Sequence, residues 1–347
     1  MSNSPRFTDI KSLFPEEIEE LCALNNLPRY RAEQIFRAVS GGAAAFSDIT
    51  VLPPTLRETL AEKYSLSVLR PIRCQKSAQD GTEKILWALQ DGQTIETVLM
   101  KYSYGNTVCI STQAGCRMGC AFCASTLGGK IRDLLPGEML EEVIRTEIVT
   151  GAKISNIVLM GIGEPLDNYD NVIRFLKLVN HPRGRNIGMR HISLSTCGVV
   201  PGIQRLAKEN LQITLSVSLH APDNETRNKI MPVNRAYDIH SLMDACEAYF
   251  SATGRRISFE YALIDGVNSS EEHARKLARL LKKSGAHVNL IRLNYVSERG
   301  LKPCSPEALK KFSDILSQAG ITVTVRRKLG RDIDAACGQL RHSQTEA

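Results

Sequence analysis

Gly115-Cys116-Arg117-Met118-Gly119-Cys120-Ala121-Phe122-Cys123 sets three thiols in a C-x3-C-x2-C spacing, shortly after an apolar strand candidate, Val108–Ser111. In a chain with ten cysteines, composition alone would produce that spacing in roughly one case in a hundred. Thiols this close in sequence can converge on one side of a loop and hold metal. A closed structural zinc site takes four ligands, yet no Cys or His occurs between Cys123 and His181. Three thiolates without a near fourth ligand suit a [4Fe–4S] cluster that keeps one iron open, ligated by Cys116, Cys120 and Cys123. Zinc completed by a distant side chain, in a protein that binds rather than catalyses, is the competing reading.

Downstream of this loop the chain repeats strand, loop, helix. Strand candidates are Ile154–Met160, His191–Ser195, Gln212–Leu219, Arg256–Leu263, His287–Leu293 and Ile321–Arg326, following Val108–Ser111. Helical patterns lie between most of them: Met139–Ile148, with Leu140, Val143, Ile144 and Ile148 on one face, then Asn171–Val179, Ile239–Phe250, Glu271–Leu281 and Pro306–Gln318. Such alternation predicts an α/β chain with a parallel sheet and helices outside it. Six or seven units suit a full or partial (β/α) barrel of TIM type, whose site lies at the carboxyl ends of the strands. A doubly wound open sheet is the alternative.

Upstream, residues 66–101 read as a β extension: Val68–Arg70, Ile85–Leu89 and Ile95–Leu99, with a turn at Gln79-Asp80-Gly81. Residues 1–65 read as a small helical domain, with stripes at Ile18, Leu21, Cys22 and Leu24, then Ile35, Phe36 and Val39, and a last helix near Leu56 and Leu60. Residues 102–347 read as the core unit with a carboxyl-terminal segment. The chain contains no run of eighteen apolar residues and no leader-like start, so a cytoplasmic protein without membrane contact is expected. In a reducing compartment, sparse clustered thiols act as ligands or catalysts more than as staples. The net charge of +7 favours polyanionic partners.

Several strand ends carry polar residues that a barrel would aim into one mouth. Gly161-Ile162-Gly163-Glu164-Pro165 follows one strand, Ser195 ends the next, Ser218-Leu219-His220 ends another, and Asn294 follows a fourth. Taken singly, each could be a turn or cap residue. The cysteine spacing resembles that of the radical SAM superfamily. There, S-adenosylmethionine (SAM) chelates the open iron and is cleaved to a 5′-deoxyadenosyl radical. The resemblance makes Gly163, Glu164, Ser195, Ser218, Leu219, His220 and Asn294 the expected SAM contacts.

Nearly the whole chain is similar to one family within that superfamily, the RlmN dual-specificity RNA methyltransferases. Ile95-Glu96-Thr97-Val98, Gly105-Asn106-Thr107-Val108-Cys109, Met160-Gly161-Ile162-Gly163-Glu164-Pro165 and Ser218-Leu219-His220-Ala221-Pro222 carry the likeness. So do Met231-Pro232-Val233-Asn234 and Asp332-Ile333-Asp334-Ala335-Ala336-Cys337-Gly338-Gln339-Leu340. The resemblance implies methylation of adenine C2 in 23S rRNA and certain tRNAs. It further implies Cys337 as methyl carrier, Cys109 as resolving thiol, Glu96 as general base, and a monomer served by a flavodoxin- or ferredoxin-type electron donor. Read without it, Cys109 could be ordinary core and Glu96 a solvent-facing strand residue. Pro165 and Ala124-Ser125-Thr126 side with the C2 type, whereas Arg292 matches the related Cfr type, which methylates C8. Phosphate contacts are expected from Arg326-Arg327-Lys328 with Arg331, from Lys130 and Arg132, and from Arg29, Arg31 and Arg37.

Overall fold

A computed structural model describes residues 8–282, 285–294, 297–327, 329–330 and 332–333. Its spine is one ten-stranded sheet. The strands in chain order are β1 (Arg70–Lys76), β2 (Glu83–Ala88), β3 (Thr94–Tyr102), β4 (Gly105–Cys109) and β5 (Ile154–Leu159). They continue as β6 (Ile192–Thr196), β7 (Thr214–Ser218), β8 (Ser258–Leu263), β9 (His287–Arg292) and β10 (Thr322–Val325). From β4 to β10 every neighbouring pair is parallel. From β4 back to β1 every pair is antiparallel. Spatial order follows chain order throughout. A doubly wound sheet reverses its strand order at a switch point, so that alternative is excluded and the partial barrel stands. The residues expected as a β extension belong to the same sheet.

Helices cover one face. They are α1 (Pro15–Leu24), α2 (Tyr30–Ser40), α3 (Pro54–Lys63), α4 (Pro136–Thr150), α5 (Tyr169–Asn180), α6 (Val200–Lys208) and α7 (Asn224–Ile230). The last three are α8 (Ile239–Thr253), α9 (Glu271–Leu281) and α10 (Pro306–Gln318). On β2 and β3, Ile85, Trp87, Ile95 and Leu99 share an apolar core with Met139, Val143 and Ile144 of α4. Thr97, on the same face, meets Thr146 of α4 across 3.2 Å. Because side chains alternate along a strand, Glu96, Val98 and Met100 must project from the opposite face, into the barrel.

The first three helices gather around Ile18, Ile35, Phe36 and Leu60, and Leu178 of α5 completes their cluster. Lys11 pins this unit to the core. It is fully buried, pairs with Glu141 of α4 at 2.6 Å and donates to the Ser67 carbonyl at 2.8 Å. Two expected stripe residues differ: Leu24 and Ile148 are exposed, while Met139 is buried instead. The strand expected at Val68–Arg70 runs from Arg70 to Lys76. It is a polar edge strand with a register shift between Pro71 and Arg73, so it lacks an apolar pattern to read.

Candidate active site

The cysteine loop is braced by backbone. Cys116 N–H donates to the Gly129 carbonyl at 2.9 Å, Cys123 N–H to the Cys120 carbonyl at 3.2 Å, and Ala121 N–H to the Ile230 carbonyl at 2.9 Å. Gly115 has to be glycine, since its φ is +82° and a Cβ there would lie 1.9 Å from the Gly129 oxygen. Cys116, Cys120 and Cys123 all line a cavity of about 250 Å³ at the carboxyl ends of the strands. Burial pushes the Cys116 thiol up to about 12, and the neighbouring Cys123 adds to the rise. Cys120 is raised for the same two reasons, burial first. Three thiolates crowded into a dry pocket need a polycationic centre to hold them, which an iron–sulfur cluster provides and free thiols lack. Among the described residues no three Cys, His, Asp or Glu gather tightly enough for a single metal ion. A tetrahedral zinc site would hold its sulfurs about 3.8 Å apart. The donor set fits a cluster.

The expected SAM contacts mostly converge on the same cavity: Gly163, Glu164, Ser195, Ser218, His220 and Asn294 line it. The Leu219 side chain does not. It is fully buried in the core, and the Leu219 N–H donates to the Glu260 carbonyl at 3.1 Å. Gly163 lies at φ +109°, and a Cβ would meet the Gln113 backbone nitrogen at 2.8 Å. Glu164 is buried, and its carboxylate accepts from the Leu166 N–H at 3.0 Å and the Cys197 N–H at 2.7 Å. It therefore ties the β5 loop to the end of β6. Burial raises its carboxyl despite those bonds. His220 accepts the Ala262 N–H at Nδ1, 2.9 Å, which leaves Nε2 as the protonated nitrogen. Burial, with the charge of Arg227, lowers it to about 3, so the ring is neutral.

Three residues here escaped the sequence reading. Arg227 of α7, fully buried, donates to the carbonyls of Leu219, Cys197 and Ser218 at 3.1, 2.6 and 3.2 Å and to Asn234 Oδ1 at 3.0 Å. It struts the ends of β6 and β7 from behind. Gln113 accepts from the Glu164 N–H at 2.9 Å and donates to Asp133 and Asp167. Glu260 lines the cavity beside Arg326, its carboxylate accepting from Asn289 at 2.8 Å.

Glu96 and Cys109 do not line that cavity but share a second patch. The register aligns Gln75, Lys84, Val98, Cys109 and Val158 in one row across five strands. Glu96 is two residues before Val98, so it lies on the same face, diagonal to Cys109, at roughly 7–8 Å between backbones. Cys109 is buried with Val98 and Met100, and Met160 and Leu329 pack against them. Glu96 is buried too, paired to Lys84 Nζ at 3.0 Å. Lys84 is the fourth residue missed. The reading began that strand at Ile85, two residues late.

Leu329 belongs to the segment that leads toward Cys337. Cys337 itself lies outside the described residues. The turn between β1 and β2 holds this segment: Gly330 N–H donates to Asp80 at 2.8 Å. Asp332 accepts from Ser77 Oγ at 2.6 Å and from Ala78 N–H at 2.8 Å.

Of the expected phosphate contacts, Lys130 is engaged by Asp133 and Asp167, and Arg132 by Glu138 and Asp91. Arg29 and Arg37 pair with Glu19 and Glu33 on the surface, where such pairs are weak and exchange readily. Arg326 and Arg327 are exposed, and Arg326 lines the cavity. Lys328 and Arg331 lie outside the described residues. Arg292 is exposed and absent from the cavity wall, although Ile291, Leu293 and Asn294 line it.

Comparison with known proteins agrees with this geometry. The sequence model of the Radical SAM superfamily matches residues 110–278. A "Probable dual-specificity RNA methyltransferase RlmN" of Lachnospira eligens is 49% identical over 340 residues, spanning 98% of this chain and 97% of that protein. A protein of the same name from Thermoanaerobacter pseudethanolicus is 50% identical over 334 residues, 96% of this chain and 97% of its own. The crystal structure of a radical SAM methyltransferase from Sphaerobacter thermophilus matches with a TM-score of 0.91 at 45% identity, covering 96% of this chain and 98% of that one. The cofactors of such an enzyme are a [4Fe–4S] cluster and SAM, and its substrate is RNA. This chain belongs to the RlmN family of dual-specificity radical SAM RNA methyltransferases.

Proposed function

We propose that the enzyme methylates C2 of a specific adenosine in 23S rRNA and of the adenosine beside the anticodon in certain tRNAs, with Cys337, Cys109 and Glu96 as its catalytic residues. The observation that carries this reading is the shared face of Glu96 and Cys109, buried where the segment leading to Cys337 arrives. When bound, the cluster and SAM supply a methyl group and a radical able to abstract hydrogen. Everything else falls to the chain. Adenine C2 is electron-poor and its C–H bond unpolarised, so it cannot attack a methyl donor directly. A cysteine thiolate can, and Cys337 carries the methyl group as an S-methyl thioether. Once that carbon is bonded to C2, enzyme and RNA are covalently joined. Glu96 takes the C2 proton while the Cys109 thiolate attacks the Cys337 sulfur. The carbon–sulfur bond breaks with its electron pair staying on the transferred carbon, which takes up a proton to become the methyl group, and the unpaired electron of the adduct would pass back to the cluster. A Cys109–Cys337 disulfide remains, to be reduced by an external thiol before the next turnover.

Cys116, Cys120 and Cys123 would hold the cluster. Gly163, Glu164, Ser195, Ser218, His220, Asn294 and the Leu219 backbone would frame SAM. A flavodoxin- or ferredoxin-type donor is the expected electron source, and the protein is expected to work as a cytoplasmic monomer. The target base must be unstacked to present C2 to a buried patch. Methylation at C8 is favoured by one residue, Arg292, whose side chain lies off the cavity wall. Incubation with isotope-labelled SAM and candidate RNAs, then mass spectrometry against 2-methyl- and 8-methyladenosine standards, separates the two. A product co-eluting with the 8-methyl standard overturns the C2 assignment. Cys109→Ala is expected to accumulate an RNA–protein adduct, and free turnover by that variant refutes the two-thiol scheme.

A further inference from the structure

We infer that Lys84 is the positioning residue that keeps Glu96 a carboxylate, and hence a competent base, inside the barrel. The inference rests on the reading of Glu96 as the group that takes the C2 proton. Lys84 precedes the apolar run of β2, and its neighbour Glu83 faces outward to Lys76 and Lys101. Lys84 faces inward. Its side chain is 0% exposed, that of Glu96 is 3% exposed, and the two charged groups meet at 3.0 Å.

The surroundings supply the reason for the pair. Val98, Met100, Val158, Met160 and Leu329 make the patch apolar. An unpartnered carboxyl in such a place takes up a proton at neutral pH, and a protonated acid cannot accept another. An ammonium in contact reverses that preference, because each charge offsets the desolvation of the other. Among the described residues, the other titratable groups of this region are mostly acids. Cys109, diagonal on β4, and Tyr102, further along β3, are acids. Burial holds the Tyr102 phenol up. Glu142 reaches in from α4 to accept the Ser111 N–H at 2.9 Å, while Ser111 Oγ donates to the Glu96 carbonyl at 2.8 Å. Burial raises Glu142 well above the ordinary carboxyl range. The charges of Arg326 and Arg327 are felt at Tyr102. Lys84 is in direct contact with the Glu96 carboxylate.

Stability gives no reason to keep such a pair, since apolar replacements of a buried ion pair are often neutral or stabilising. A pair needed only to hold the strands together would also tolerate loss of both charges. One needed to set protonation would not.

The test uses full-length, cluster-loaded enzyme with substrate RNA, in single turnover across pH 6 to 9, following adduct and free methylated RNA on denaturing gels. The variants are Lys84→Met, Lys84→Gln, Lys84→Arg and Glu96→Gln. Lys84→Met and Lys84→Gln are expected to cleave SAM and form adduct normally but release it at least tenfold more slowly at pH 7. As pH rises the defect should shrink, because loss of a contacting ammonium disfavours the charged form of a buried base and a higher pH offsets that loss. Lys84→Arg is expected to restore the wild-type profile, and Glu96→Gln to stay slow at every pH. A Lys84 defect of the same size at all pH values reduces the pair to a structural one and overturns the proposal. Normal release by Lys84→Met does the same. If Glu96→Gln itself releases product normally, the base assignment fails first. Should Lys84→Met not fold, Lys84→Gln carries the same readout.

Discussion

Replacing Arg227 with Met removes a guanidinium but keeps most of its volume, which isolates the hydrogen bonds it makes. Four acceptors lose their donor: the Leu219, Cys197 and Ser218 carbonyls and Asn234 Oδ1. A buried acceptor left unsatisfied costs about 1–3 kcal/mol, but removing a fully buried cation recovers part of that through relieved desolvation. The balance is about 3–5 kcal/mol of lost stability, the range seen when one partner of a buried charged contact is deleted. For a chain of this length that corresponds to roughly 4–7 °C in Tm. The larger consequence is local. Cys197 and Ser218 sit at strand ends that line the cavity, so their carbonyls would relax and the wall would lose definition. Thermal unfolding of the cluster-loaded protein, with calorimetric titration of SAM under anaerobic conditions, reads both effects. Arg227→Lys should fall between, since one ammonium cannot span four acceptors. A Met variant that melts within about 1 °C of the parent and binds SAM equally would refute the strut.

Gly163→Ala is expected to abolish SAM binding, because the new methyl would meet Gln113 backbone and side chain at 2.7–2.8 Å in a conformation L residues disfavour; undiminished binding by calorimetry contradicts this. His220, lowered to about 3 when folded, refuses a proton that the unfolded chain accepts near 6.5. Its stabilising contribution is therefore complete above pH 6.5 and is lost as pH falls from there toward 3. Between pH 7.5 and 5.5 the parent should lose about 1.4 kcal/mol more than His220→Asn in urea titrations, and equal losses would count against a neutral buried ring. Asp80→Ala frees the Gly330 N–H from the β1–β2 turn. It should slow methyl loading of Cys337, read by peptide mass spectrometry, while SAM affinity is unchanged; loading at the parental rate dismisses the tether.

The parallel strands were legible because strands covered by helices are apolar along much of their length. Ile154–Leu159 and His287–Arg292 fall where their valines, isoleucines and leucines cluster, and Ser258–Leu263 where Phe259, Tyr261, Ala262 and Leu263 do. The cysteine loop was legible because its chemistry is local. What stayed hidden depends on contacts distant in sequence. Helix α6 opens Val-Pro-Gly, which reads as a turn; Gly202 is needed there because a Cβ would meet Leu166 at 2.7 Å. Arg227, in a seven-residue helix rich in polar side chains, looks solvent-facing until α7 is placed behind β6 and β7. Lys84 beside Glu83 looks like an ordinary charged strand start, and only the register with Val98 and Cys109 turns it inward.

That register explains how one sheet serves two chemistries. The parallel half, β5 to β9, ends in loops, and loops can gather a cluster and a charged cofactor because glycine turns and backbone donors are available at strand ends. The antiparallel strands at its flank offer no such ends to the cavity. They offer side chains at fixed spacing on a continuous inward face, where Glu96 and Cys109 are held rigidly by cross-strand pairing rather than by a loop. In the proposed scheme, a carbon that must be transferred and then cut free needs its base and its resolving thiol at constant separation through both steps. A pleated face supplies that constancy, and the contacts of Asp332 with Ser77 and Ala78 hold the chain that leads toward Cys337. On this view, weakening the β3–β4 pairing should harm release before it harms SAM cleavage, because the first depends on the sheet face and the second on the strand ends.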